Sequence, residues 1–208
     1  WSYTAPLPIV GFAFDMGFER ALFGSKYVEL FEGLDIEVIR YDPTVVEPAP
    51  FTADITIFEL PAPVQFSGTK VKGYSQLWGY FITRIAAGMT DPRIRSLVVD
   101  TMTSARRVRA DAHLEELQAK ARPDQPERVQ LIQIEWGKPN DDIRNLYTTS
   151  QGVRRNLVAV HHLTDERKDG VDRDGKIVQG MLTGQRVMEG LNNTYRLVDV
   201  ALRMEKVG

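Results

Sequence analysis

The sequence predicts an α/β domain, a mainly parallel sheet flanked by helices, and two observations predict it. Apolar runs of strand length alternate with longer stretches of helical periodicity, the pattern of units that build parallel sheets. Three of the runs stop abruptly on polar side chains: residues 9–14 at Asp15, residues 96–99 at Asp100, and residues 156–160 at His161 and His162. A parallel sheet would bring these ends to one rim, where open α/β folds place their ligands.

Length and composition narrow the setting. The 208 residues suit one domain spanning 1–208, and 43% hydrophobic with 26% charged residues is ordinary for a globular chain. Lys and Arg number 26 against 28 Asp and Glu, a formal charge of −2, so no global field favours nucleic acid. The absence of Cys removes disulfides and thiolate metal sites, and fits a reducing, cytoplasmic setting. No apolar run approaches the roughly 18–20 residues that span a bilayer, so no membrane partner is expected. The chain starts at Trp1 without a Met, which predicts an upstream portion.

Taken in order, the first strand covers 9–14 and a loop through Gly17, Glu19 and Arg20 follows. Helical spacing then runs over 21–31 and closes at Gly33. Residues 36–41 alternate apolar and charged side chains, which predicts a strand near a sheet edge. Residues 43–72 carry Pro43, Pro48, Pro50, Pro61 and Pro63 and read as an irregular insertion holding one edge strand or hairpin around 54–58. An interdomain linker is the competing reading. Leu77, Trp78, Phe81, Ile82, Ile85 and Ala86 have the spacing of an amphipathic helix over 74–89, which leads into the strand at 96–100.

A second helix is expected over 105–121. Arg106, Arg107 and Arg109 near its start suit phosphate or DNA, although charged residues on a helix more often form a solvated face. Residues 129–134 read as a short strand or the lead-in to a helix that begins at Asp141-Asp142 and runs to Val153. After the strand at 156–162, residues 164–176 read as a charged loop, 179–193 as a turn and short helix, and 196–204 as a closing strand.

The strand order, residues 8–15, 36–41, 96–100, 156–162 and 199–204, resembles the RecA-like P-loop ATPases of bacteriophages, AAA-type nucleotide-binding proteins associated with phage recombination. The resemblance implies ATP and Mg²⁺ as cofactors, with Asp100 as the Walker B aspartate acting through the metal. It implies His161 as the residue that senses phosphate, with Asp15 and Thr101 beside the nucleotide. The family's water-positioning glutamate would stand at Gly17, and Glu19 lies two residues further on. It also implies nucleotide, single-stranded DNA or a recombination protein, and further copies of the chain as partners, in the host cytoplasm.

A phosphate-cradling Gly-x-x-x-x-Gly-Lys-Ser/Thr loop does not occur in these 208 residues. Gly24-Ser25-Lys26, Gly68-Thr69-Lys70 and Gly175-Lys176 are fragments without the spacing. The expectation is that this loop and its strand lie upstream of Trp1. Arg154, Arg155, Arg167 and Lys168 are candidates for an arginine or lysine reaching a neighbouring subunit's nucleotide.

Two other readings compete. One is a non-catalytic relative, an interaction or virion-associated module; the other is a nuclease using Asp15 and Asp100 around a metal. Adjacent strand residues point to opposite faces, so His161 and His162 are not expected to share a metal, and His113 is expected at the surface. Asp169, Asp172 and Asp174 with Gly170 and Gly175 resemble a calcium loop that lacks its closing glutamate.

Overall fold

The computed structural model describes residues 2–15, 17–24, 28–45, 50–65, 70–122, 124, 126, 128–171, 176–191 and 194–203. Five strands, β1 (Ile9–Ala13), β2 (Ile36–Arg40), β3 (Ile55–Glu59), β4 (Ser96–Asp100) and β5 (Asn156–Ala159), form one sheet in the order β2-β3-β1-β4-β5. Every pairing in it is parallel. Parallel neighbours need long crossovers: α2 (Tyr74–Thr90) lies between β3 and β4, and α3 (Met102–Lys120) between β4 and β5. The β4–β5 connection also holds α4 (Gly137–Gly152), α1 (Gly17–Leu22) lies between β1 and β2, and β2 passes to β3 without a helix among the described residues. The α/β class with a parallel sheet flanked by helices is therefore as expected from the alternating runs.

Burial on both faces explains why the central strands read as continuous apolar runs. On one face Val10, Phe12, Phe58, Leu97 and Val99 pack under Leu77, Phe81, Ile85 and Met89 of α2 and Met102, Ala105 and Val108 of α3. The Phe81 ring meets Phe12 and Phe14 edge-on, with centroids 5.1 Å apart in both pairs. On the other face Ile9, Ala13, Ile55, Ile57 and Val98 lie against Tyr3, Phe18, Leu22 and Phe31. Gly88 lets α2 lie close to the sheet, because a Cβ there would stand 2.8 Å from Leu97 Cδ2. The Leu7–Pro8 and Asp100–Thr101 peptide bonds are cis.

Strand β2 is the edge its alternation predicts, with Glu37, Val38 and Arg40 exposed. Residues 43–72 are different from expectation. Their strand, β3, lies inside the sheet between β2 and β1 and is buried at all five positions. Pro50 and Pro61 flank it without interrupting it, so the prolines mark its ends and leave its hydrogen-bonding ladder whole. The helix expected over 21–31 is instead α1, ending at Leu22, and a 3₁₀ turn at Val28–Phe31. Residues 129–134 resolve as a lead-in: a 3₁₀ turn at Gln133–Trp136 runs directly into α4.

The largest corrections lie after β5. The expected loop at 164–176 and helix within 179–193 are the two strands of a separate antiparallel ribbon, β6 (Leu163–Val171) and β7 (Ile177–Met188). Exposed residues on both faces of a ribbon leave no apolar periodicity to read, and register shifts at Asp165/Arg167 and Lys168/Gly170 break the alternation further. The expected closing strand at 196–204 is a 3₁₀ turn at Thr194–Arg196 followed by irregular chain through residue 203. Its alternation is real, yet Val200 is 71% and Leu202 80% exposed, and no strand pairs with them. Met204 lies outside the described residues. Among the described residues, no helix is long and apolar enough to cross a membrane.

Candidate functional site

The register of the sheet sets the geometry of the rim. Ala13 is level with Glu59 on one side and with Asp100 on the other, so these three residues share a face at the carboxyl ends of β1, β3 and β4. Asp15 follows two residues beyond Ala13. Its Oδ1 accepts a hydrogen bond from the Gly17 amide (3.0 Å), which turns the chain from β1 into α1. Its Oδ2 lies 4.0 Å from His162 Nε2. Glu59 is spent within the sheet, because its Oε2 accepts from Arg40 Nε at 2.9 Å.

Asp100 is kept available by its neighbour. The helix cap at the start of α3 is Thr101, whose Oγ1 accepts from the Ser104 amide (3.1 Å) and donates to Ser104 Oγ (3.0 Å). Thr101 is thus engaged and 3% exposed, while Asp100 stands at the rim without capping duty. Burial, and then the Asp15 carboxylate, push the Asp100 carboxyl above the usual range for aspartate, and His162 opposes the shift. Neither carboxylate pairs with an Arg or Lys among the described residues. Two neighbouring carboxylates that pair with no Arg or Lys among the described residues are a donor set that fits a hard divalent ion.

The two histidines separate as adjacent residues should. His162 is the one that joins the acids. His161 Nε2 lies 2.9 Å from Tyr147 Oη, and its Nδ1 lies 3.3 Å from the Glu189 carbonyl oxygen. Burial holds the His161 pKa below the ordinary histidine value. Thr103 Oγ1 ties the corner together, donating to the Glu189 carbonyl (3.1 Å) and accepting from the His162 amide (3.0 Å). Because β5 ends at Ala159, strand alternation gives no guide to which histidine turns toward the acids.

Tyr3 is the residue that sequence reasoning missed. It is 2% exposed and packs on Gly11, where a Cβ would stand 2.8 Å from its Cε1 and 3.2 Å from its Oη. The phenolic oxygen has no hydrogen-bond partner among the described residues. Burial, then Asp100 and Asp15, push its pKa up. The only signal in the sequence was Gly11 itself, a gap in an otherwise apolar strand that admits a large ring.

The other candidates are placed elsewhere. The backbone of Glu19 lies in α1, and its side chain is outside the described atoms. Arg106 Nε donates to Asn140 Oδ1 and its guanidinium lies 4.5 Å from the Trp136 ring centroid, Arg107 pairs with Glu189, and Arg109 is buried between Asp142 and Glu116. Arg109 and the half-buried Arg106 serve internal structure, while Arg107 is exposed, as expected of a solvated face. Arg155 Nη2 donates to the Asp91 carbonyl, at the end of the sheet opposite the rim. Arg154 precedes β5 at that same end. Arg167 and Lys168 lie on the ribbon, the first on the Gly180 carbonyl and the second on Glu166.

His113 is not the surface residue expected: its side chain is 13% exposed, with Nδ1 3.3 Å from Glu116. Asp169 accepts from the Gly180 amide, while Asp172, Asp174 and Gly175 lie outside the described residues, as do Ser25, Lys26, Gly68 and Thr69. Among the described residues no three His, Cys, Asp or Glu side chains are gathered so as to hold a metal by themselves. A site for Mg²⁺ does not require three, since that ion commonly takes one or two carboxylates and completes its shell with water and phosphate. No protein-family model, curated protein or solved structure matches this chain.

Proposed function

We propose that this chain is the greater part of a RecA-like ATPase core that binds ATP with Mg²⁺ and serves phage DNA recombination or replication. One observation carries the reading: Asp15, Asp100 and His162, three residues far apart in sequence, meet on the carboxyl-end rim of an all-parallel sheet. In this reading Asp100 holds the cation, directly or through water. Asp15 supplies the second carboxylate. His162, in place of His161, provides the polar group nearest the phosphates. Bound Mg²⁺ would draw charge from a phosphoryl group, and the chain's own contribution is to orient and exclude water.

This reading needs a phosphate-cradling loop that these residues do not contain. Strand β5 is paired on one side only, and Leu157, Val158 and Ala159 remain half-buried, which leaves room for a further parallel strand. Copies of the chain and a DNA strand are the partners this reading supplies.

The test is binding of a fluorescent ATP analogue by the full gene product, with and without Mg²⁺. Mg²⁺-dependent binding that weakens at least roughly tenfold in Asp100→Ala is the expected result. No binding by the full gene product would replace this reading with a non-catalytic module. DNA cleavage that needs metal but no nucleotide would replace it with the nuclease.

A further inference from the structure

We propose that Tyr3 is a positioning residue of the Asp15–Asp100 pair, its phenolic hydroxyl donating to a carboxylate oxygen or bridging water once a divalent cation is held there. The proposal rests on reading that pair as a cation site. It starts from a cost. A buried hydroxyl without a partner is unfavourable, and phenylalanine would fill the same space without that penalty. Tyr3 is 2% exposed and its Oη has no partner among the described residues, so packing accounts for the ring and not for the oxygen.

The sheet register shows where the oxygen stands. Gly11 and Ala13 are successive residues on one face of β1, paired with Val98 and Asp100 of β4. The Tyr3 ring lies over Gly11, one side-chain repeat below the level of Asp100 on that face. The hydroxyl therefore sits beneath the carboxylate pair, on the side covered by Phe18 and Leu22. Burial raises its pKa most, and Asp100 and then Asp15 raise it further, as charges close enough to act on it would. A cation that draws Asp15 and Asp100 together gives these carboxylates a fixed geometry. Donors that fix metal-bound carboxylates are the usual partners of such sites, and their loss commonly weakens metal affinity tenfold or more.

The experiment compares the wild-type chain with Tyr3→Phe, using Mn²⁺ alone as the probe and measuring its binding by electron paramagnetic resonance. Tyr3→Phe is expected to bind Mn²⁺ roughly tenfold more weakly, with a melting temperature equal to or above that of the wild type. In the wild-type chain, the Tyr3 ¹³Cζ resonance should shift on addition of Mg²⁺; this second measurement holds even where the variant fails to fold. Wild-type binding with unchanged affinity in Tyr3→Phe and an unmoved ¹³Cζ signal would overturn the role of Tyr3 and leave the cation site standing. Failure of the wild-type chain to bind Mn²⁺ at all, with or without triphosphate, would overturn both.

Discussion

His162 Nε2 stands 4.0 Å from Asp15 Oδ2, joining the segment after β5 to the segment after β1 across the end of β4. The strand between them ends in Asp100, whose carboxyl is raised by burial and by Asp15. This arrangement has a consequence for stability. A carboxyl whose pKa is higher in the folded chain than in the unfolded one binds more protons when folded, so its ionisation disfavours the fold as pH rises through the usual aspartate range. Asp100→Asn is therefore expected to be at least as stable as wild type at pH 7.5. The difference should vanish below about pH 4, where aspartate is protonated in both states. Urea denaturation at the two pH values checks it.

Gly11 is expected to tolerate no side chain while Tyr3 is present. A Cβ would stand 2.8 Å from Tyr3 Cε1, a distance real side chains do not adopt, and overpacking of this kind costs about 1–3 kcal/mol. Gly11→Ala should lose stability in that range. Combining it with Tyr3→Leu should recover a large part of the loss, because the two changes share one contact. Additive losses in a double-mutant cycle would show that the two residues do not press on one another.

Arg109 holds α3 to α4. It is 2% exposed, with Nε 2.6 Å from Asp142 Oδ2 and Nη1 3.0 Å from Glu116 Oε1, and its guanidinium lies 5.7 Å from the Trp78 ring centroid. Removing one partner of a buried ion pair is costly because the other charge is left behind. Here the acids keep partial access to water, so Arg109→Ala should cost about 3 kcal/mol, the lower end of the usual range. Asp142→Asn should cost less, since Glu116 still faces the arginine. Equal losses by chemical denaturation would contradict this division.

The β6–β7 ribbon is expected to be dispensable for the sheet. Its strands pair only with each other, and the hydrogen bonds that anchor it lie at its base, where Glu189 meets Thr103, His161 and His162. Replacing residues 165–186 by a short Gly-Ser linker should leave a cooperative unfolding transition with a slightly smaller denaturant slope, in proportion to the surface removed. A non-cooperative transition would show that the ribbon supports the core.

The contrast between ribbon and sheet also explains which elements the sequence made legible. Strands β1 and β4 announced themselves because both faces are covered, and α2 because Leu77, Phe81, Ile85 and Met89 recur at helical spacing. The ribbon is exposed on both sides, so its sequence carries no such imprint, and its glycines and charges look like loop chemistry. Strand β3 was placed at an edge because proline was weighed across the whole segment rather than at its ends. In the site, Asp15 and Asp100 were visible as the stops of apolar runs. That His162 and not His161 lies beside Asp15 was not, since it depends on how the chain turns after β5. Tyr3 was invisible for another reason: its place over Gly11 is a tertiary fact with no local pattern.

The corner at the rim draws its members from positions 15, 100 and 162, each at or just beyond the end of a different strand of a sheet with no antiparallel pairing. No contiguous stretch of the chain contains it. During synthesis Asp15 and Asp100 emerge well before His162, and the corner is finished only when the fifth strand docks. A ligand that needed all three side chains would therefore discriminate between chains with the fifth strand docked and chains without it, and its occupancy would read out that step of folding.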